Sequence, residues 1–155
     1  MTGRRGAAVR LVLAAGTVSM LSCALPRWPV DAPLSSPFAA RVLGGTADVH
    51  RGVDLLVPAG TEVRAMYRGR VKLAGSLQGY GLAVMLDHGD GLESLYAHLS
   101  EIRVQTGESI RDGAVIGLSG SSGNADGAHL HFEVWMGGRP VDPVRFFGGP
   151  PGESR

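Results

Sequence analysis

The chain has 155 residues, of which 44% are hydrophobic and 19% are charged. This composition supplies a core for one folded domain and excludes a disordered chain. Three of the 15 basic residues precede Cys23, which leaves 12 basic residues against all 14 acidic residues in the rest of the chain. That balance gives no electrostatic basis for binding nucleic acid.

The first 24 residues have the layout of an export signal. A basic start is followed by an apolar run over residues 11–21 and by the small-residue stretch Ser22-Cys23-Ala24. The run is shorter than the roughly 20 residues that a membrane-spanning helix needs, and a buried N-terminal helix or an uncleaved anchor is the alternative. We predict that residues 1–24 are removed on export to the periplasm, the cell wall or the medium.

Cys23 is the only cysteine, so no disulfide framework is available. It stands where a lipidated cysteine would follow a signal peptide, but Leu21 occupies a position where a small residue is expected. We therefore predict plain secretion of a monomer, with a lipid anchor at Cys23 as the alternative.

Many glycines, nine prolines and few aromatic residues predict short strands joined by tight turns. Residues 25–37 carry four prolines and are predicted to form an extended lead-in. Alternating or continuous apolar runs then predict a series of strands over residues 53–57, 61–66, 69–75, 82–86, 92–98, 115–118 and 131–135.

Turn residues predict how these strands connect. Residues 87–91 predict a hairpin with a longer loop, and Gly137-Gly138 predicts a tight second hairpin. Asp142 and Pro143 are typical of a helix start and predict one helical turn up to residue 147. Residues 148–155 are predicted to form a flexible tail. The expected fold is all-β with an antiparallel sheet.

Four of the five histidines fall into three short motifs. These are His50-Arg51-Gly52-Val53-Asp54, Tyr96-Ala97-His98-Leu99 and His129-Leu130-His131-Phe132-Glu133. Imidazole and carboxylate are the ligands of catalytic zinc, and residues two apart on a strand point to one face. Each motif alone also fits an incidental structural histidine, but together they predict a metal hydrolase site.

The sequence resembles the lysostaphin/LytM-like zinc metallopeptidases, which cut peptidoglycan cross-links. The similarity runs from about Pro33 to about Phe147 and is collinear. Besides the three histidine motifs, it includes Ser36-Pro37-Phe38, Pro58-Ala59-Gly60-Thr61, Gly79-Tyr80-Gly81, Asp87-His88-Gly89-Asp90-Gly91, Gly120-Ser121-Ser122-Gly123 and Gly138-Arg139-Pro140-Val141-Asp142-Pro143.

The resemblance implies a peptidase domain over residues 38–147, with a sandwich-like antiparallel sheet and a groove that contains the metal. It implies one Zn²⁺ bound by His50, Asp54 and His131. It also implies that His98 and His129 lie beside the metal and serve the chemistry without being ligands.

Other residues near the motifs have two interpretations each. Tyr80 and Tyr96 are predicted to line the groove and bind substrate, with strand packing as the alternative. Glu133 orients a ligand histidine or is only its same-face neighbour. For His88 we expect a surface or turn-capping role. Arg41 and Arg51 are either groove charges or solvated surface residues.

The resemblance implies an endopeptidase that hydrolyses stem peptides or cross-bridges of peptidoglycan, with the D-alanyl–diaminoacid bond as the preferred target. One alternative is a non-catalytic member that binds peptidoglycan or activates an amidase. Another is a zinc-dependent structural module, although structural zinc sites usually have four protein ligands. The short segment 42–49 predicts a relatively open groove.

Overall fold

The computed structural model describes residues 25–43 and 46–152. The predicted export signal and residues 153–155 of the predicted tail lie outside this part of the chain. Twelve strands and one short helix follow in order: β1 (Leu34–Ser36), β2 (Ala39–Leu43), β3 (Thr46–His50), β4 (Val53–Leu55), β5 (Glu62–Arg64), β6 (Gly69–Leu77), β7 (Gly81–Gly89), β8 (Leu92–Ile102), β9 (Ser109–Ile110), β10 (Val115–Ser119), β11 (Leu130–Met136), β12 (Arg139–Val141) and α1 (Pro143–Phe147).

Ten of these strands form one antiparallel sheet. Its main path runs β1-β4-β11-β8-β7-β6-β9, with β12 paired to β11 and with β10 paired to both β5 and β8. β2 and β3 form a separate two-stranded sheet. The prediction of an all-β antiparallel fold is confirmed. In the described residues, no helix is long and apolar enough to cross a membrane.

The two predicted hairpins are present, and both have two-residue turns. Asp90 and Gly91 connect β7 to β8 with φ angles of 53° and 77°, and Gly137 and Gly138 connect β11 to β12 with 57° and 76°. Positive φ at both central residues matches the right-handed twist of the paired strands. The first turn is therefore shorter than the predicted loop.

The predicted helical turn is also present as α1. The Asp142 carboxylate caps it by accepting a hydrogen bond from the Val144 backbone N–H at 2.9 Å. Gly148 ends the helix in the left-handed conformation with φ of 74°. The start of the predicted tail contacts the domain, because the Trp28 indole N–H donates to the Gly149 carbonyl at 3.2 Å.

The predicted lead-in belongs to the domain itself. Its residues 34–36 form β1, which pairs with β4 at one end of the sheet path. Val30 and Ala32 are buried, and the Trp28 ring packs 4.5 Å from the ring of Phe147. Burial of these apolar side chains packs the segment against the core despite its prolines.

The main core lies on one face of the sheet, and β8 is buried on both faces. Tyr96 is fully buried, and its hydroxyl accepts from the Met66 backbone N–H at 2.8 Å and contacts the Ser94 hydroxyl at 3.0 Å. The interpretation of Tyr96 as a groove residue is therefore corrected to core packing. Leu95 and Ala97 point to the other face and form a smaller apolar cluster there.

Candidate metal centre

Three side chains that the sequence motifs single out converge in space. The His50 Nε2 atom lies 3.1 Å from Asp54 Oδ1 and 3.1 Å from His131 Nδ1, and the latter two atoms are 2.8 Å apart. The fold explains the convergence. His50 is the last residue of β3, while Asp54 in β4 lies directly opposite His131 in the adjacent β11.

Gly52 allows this close approach between the strands. A Cβ atom at position 52 would collide with the Phe132 carbonyl oxygen and would lie 2.8 Å from Glu133 Cγ. Only glycine lets the backbone between His50 and Asp54 pack directly on β11.

Hydrogen bonds on the outer side of each ring fix which nitrogen faces the cluster. The outer nitrogen of His50, Nδ1, lies 2.7 Å from the Pro37 carbonyl oxygen, which can only accept. The His131 Nε2 atom lies 3.0 Å from the Glu133 carboxylate. In the neutral rings, both outer nitrogens therefore carry the proton, and the inner nitrogens face the Asp54 oxygen with their lone pairs.

This arrangement fits a metal ion. Two imidazole lone pairs and a carboxylate oxygen repel one another unless a cation or a proton lies between them. Tetrahedral zinc with bonds of about 2.0–2.1 Å holds its ligand atoms about 3.3 Å apart, close to the spacing seen here. His50, Asp54 and His131 also form the one potential metal-binding group found among the described residues.

The ionisation of the cluster agrees with this chemistry. Burial favours a raised pKa for Asp54, but hydrogen bonds to His131 and His50 outweigh it and hold that pKa well below its usual range. Burial opposes protonation of His131, yet its hydrogen bonds to Asp54 and Glu133 raise its pKa. The carboxylate is therefore ionised, and a proton competes with a metal ion for the His131 ring.

Glu133 hydrogen-bonds to the nitrogen of His131 that faces away from Asp54. Its carboxylate is fully buried and accepts three hydrogen bonds, from His131 at 3.0 Å, from the Tyr80 hydroxyl at 2.8 Å and from the Trp135 indole at 2.6 Å. Burial would raise the pKa of Glu133, but these donors lower it, led by His131. The structure thus places Glu133 as the hydrogen-bond partner of a candidate ligand, not only as its neighbour.

Tyr80 lies beside His131 and hydrogen-bonds to this buried carboxylate. Its ring centroid is 5.5 Å from that of His131, and its side chain is partly exposed. Burial and the nearby charge of Glu133 raise the pKa of the Tyr80 hydroxyl to about 12, so that it remains a donor. Substrate binding by Tyr80 stays a prediction. Its bond to Glu133 was not predicted, because the two residues are 53 positions apart.

His98 and His129 form a second imidazole pair next to the cluster. Their ring centroids are 4.7 Å apart, and His98 lies 5.9 Å from the ring of His131. His129 Nε2 is 3.8 Å from Asp54 Oδ1. The Nδ1 atoms donate to the carbonyls of Ser122 and Gly127 at 2.8 and 2.9 Å. In the neutral form of each ring, the lone pair is therefore on Nε2.

An irregularity in β8 is what brings His98 to this position. Regular alternation would place it on the core face with Tyr96. Instead, the pairing register with β7 shifts between Tyr96 and Leu99, and His98 has a φ angle of 60°. Burial lowers the pKa of His98, as do the nearby His129 and His131 rings. His98 thus remains a neutral imidazole with a nitrogen lone pair at neutral pH.

His88 is placed elsewhere and has a structural role. Its Nδ1 donates to the Arg68 carbonyl at 2.7 Å, and its Nε2 lies 2.8 Å from the buried Ser94 hydroxyl. This pair of contacts accounts for its burial, and burial lowers its pKa. The expected surface or turn-capping role of His88 is therefore corrected to a half-buried position within β7, where it contacts Arg68 and Ser94.

Known proteins are similar to this chain in sequence and in fold. The sequence pattern of peptidase family M23 matches residues 48–143. The DD-carboxypeptidase/endopeptidase Mpg of Neisseria meningitidis serogroup B is 45% identical over 113 residues, which cover 72% of this chain and 26% of Mpg. The murein hydrolase activator EnvC of Escherichia coli is 38% identical over 121 residues, or 78% of this chain and 28% of EnvC.

Solved structures agree with the sequence comparisons. A zinc-containing peptidase from Vibrio cholerae superposes with a TM-score of 0.72 at 34% identity, covering 77% of this chain and 39% of that one. The catalytic domain of lysostaphin from Staphylococcus simulans superposes with a TM-score of 0.70 at 31% identity, covering 76% and 93%. This chain spans about a quarter of the length of the curated relatives described above. With the sequence pattern covering more than half of its residues, the chain belongs to peptidase family M23.

Proposed function

We propose that this protein is a zinc-dependent endopeptidase that hydrolyses peptide cross-links of bacterial peptidoglycan, with the D-alanyl–diaminoacid bond as its preferred target. The observation that carries the proposal is that two sets of side chains lie next to each other. Three electron-pair donors converge within 3.1 Å of one another, and two further imidazoles lie beside them without joining the cluster.

His50, Asp54 and His131 would hold the zinc ion. Three protein ligands are the usual number at a catalytic zinc site, whereas structural sites are closed by four. When bound, zinc supplies a Lewis acid that polarises a carbonyl and lowers the pKa of a coordinated water to about 7.

His98 and His129 supply the proton transfers in this proposal. In its neutral form each ring has its lone pair on Nε2, because each Nδ1 donates to a backbone carbonyl. A neutral imidazole can accept a proton from the attacking water and then donate it to the leaving amine. Its protonated form can also donate to the oxyanion that develops during attack. The lowered pKa of His98 keeps it ready to accept a proton.

The site of action follows from the substrate and from the predicted export signal. Peptidoglycan lies outside the cytoplasm, and residues 1–24 would direct the chain there. Intact-mass measurement of the exported protein distinguishes the routes. A chain that starts at Leu25 supports plain secretion, and one that starts at a diacylated Cys23 supports a lipoprotein. A chain that still carries Met1 or begins at Thr2 would contradict both.

A non-catalytic role is the second candidate, because the chain is also similar to the murein hydrolase activator EnvC. The test is to incubate the zinc-loaded chain with defined cross-linked muropeptides and to identify the products by mass spectrometry. We expect cleavage products from wild type and from His88→Ala, and none from His131→Ala. Muropeptides that bind to wild type but remain intact would contradict the endopeptidase and favour the activator role.

A further inference from the structure

Arg51 is a charged residue next to the metal centre that the proposed chemistry does not use. It follows His50 directly, and its side chain is exposed. Gly52, the next residue, packs against the Phe132 carbonyl too closely for any other residue. The backbone that carries Arg51 is therefore fixed on both sides, by a candidate metal ligand and by a contact that only glycine allows.

The side chain of Arg51 lies near the Tyr80 hydroxyl. Its positive charge lowers the pKa of that hydroxyl, against the larger raising effects of burial and of Glu133. That hydroxyl is itself fixed, because it donates to the buried Glu133 carboxylate at 2.8 Å. Because the Tyr80 ring lies 5.5 Å from the His131 ring and Arg51 directly follows His50, the charge of Arg51 lies close to the metal centre.

The charge of Arg51 is also available to a ligand. Some arginines of the domain pair with carboxylates of the chain, as Arg64 does with Glu62 and Arg103 with Glu101. Among the side chains that the structure describes, those of residues 25–39 and 49–152, Arg51 takes part in no such ion pair. A guanidinium has five N–H donors and can therefore bind a carboxylate of a ligand.

We propose that Arg51 is a specificity-determining residue that binds a free carboxylate of the peptide substrate next to the bond that is cut. This inference rests on the proposed function and names the class of peptide that the site prefers. The planar guanidinium matches a carboxylate with two parallel hydrogen bonds, and the pairing is charge-assisted. Amidation removes both the charge and one acceptor, so amidated peptides bind more weakly.

Two carboxylates of such a peptide could occupy this position. One is the carboxylate of the diaminoacid, and the other is the C-terminal carboxylate of the stem. Both present the same chemistry to Arg51, and the test separates them with three otherwise identical peptides. The first has both carboxylates free, the second is amidated at the diaminoacid, and the third is amidated at its C-terminus.

The experiment measures binding of these three peptides by isothermal titration calorimetry. The peptides are cleavage products without a cross-link, so binding is measured independently of turnover. The proteins are the zinc-loaded wild type, Arg51→Gln, Arg51→Lys and the control Arg64→Gln. Zinc content and thermal unfolding of each variant are checked first, and we expect both to match wild type.

We expect one amidated peptide to bind wild type about tenfold more weakly than the free peptide, as the loss of a charge-assisted hydrogen bond would produce. Arg51→Gln should bind all three peptides equally, Arg51→Lys should keep part of the preference, and Arg64→Gln should keep all of it. The inference is overturned if wild type binds none of the peptides, shows no preference, or retains its preference in Arg51→Gln. A preference for free carboxylates without cleavage of cross-linked muropeptides would uphold Arg51 and contradict only the endopeptidase.

Discussion

Replacing Glu133 by glutamine should weaken metal binding while leaving the three candidate ligands in place. The Glu133 Oε1 atom accepts from both His131 and Tyr80, and Oε2 accepts from Trp135. Glutamine keeps one acceptor oxygen and replaces the other by an amide that donates. Either orientation of the amide leaves at least one buried donor facing another donor.

The size of the effect follows from these contacts. A buried donor without an acceptor costs about 1–3 kcal/mol, which thermal unfolding of the metal-free protein should detect. His131 also loses the charged partner that orients its ring and makes it a better electron donor. Loss of such a partner typically weakens metal binding about 10–100-fold, so we expect the zinc dissociation constant to rise by that factor.

The assay is competition for zinc between the metal-free protein and a chromogenic chelator at neutral pH. Glu101→Gln is the matched control, because Glu101 is exposed and pairs with Arg103 at 2.8 Å away from the cluster. Tyr80→Phe removes one donor to Glu133 but leaves its charge, and should give a smaller rise. A folded Glu133→Gln protein that binds zinc within about twofold of wild type would refute this reasoning.

Three further predictions concern other parts of the domain. His98→Ala and His129→Ala should each retain zinc and lower turnover of a cross-linked muropeptide by about 10²–10⁴-fold, and wild-type rates in both would contradict their proposed role. Gly52→Ala should reduce the free energy of unfolding by about 1–3 kcal/mol or more, because its methyl group would collide with a β11 carbonyl. Chemical denaturation tests this against Gly75→Ala, whose Cβ would meet nothing within 4 Å. Burial lowers the pKa of His88 in the folded state, so the unfolded chain binds more protons and stability falls as pH drops below the ordinary histidine value. The free energy of unfolding should therefore fall less between pH 7 and pH 5 for His88→Gln than for wild type. An equal fall in the two proteins would contradict this.

Local sequence signals predicted the turns and the helix start well. Gly137-Gly138 and Asp142-Pro143 act through the conformation of adjacent residues, and the structure has the hairpin and the capped helix there. The β2–β3 pair was not predicted. Its sequence from Ala39 to His50 is rich in small residues and lacks the alternation that identifies a strand.

Sequence patterns do not predict contacts between residues that are far apart in the chain. The interpretation of Tyr96 as a groove residue was wrong because β8 is buried on both faces, so alternation does not show which face meets the core. The bond between Tyr80 and Glu133 joins positions 53 apart, and the one between Pro37 and His50 crosses 13 positions. Both depend on strand register, which short motifs do not contain.

The most direct test of the proposed metal centre is the zinc-to-protein ratio of the purified chain, measured by elemental analysis. We expect about one zinc per chain for wild type and for His88→Ala, and close to none for His131→Ala, because removing one of three ligands opens the site. A wild-type ratio near zero after zinc loading, or equal zinc content in wild type and in a folded His131→Ala protein, would contradict the assignment of His50, Asp54 and His131 as the zinc ligands.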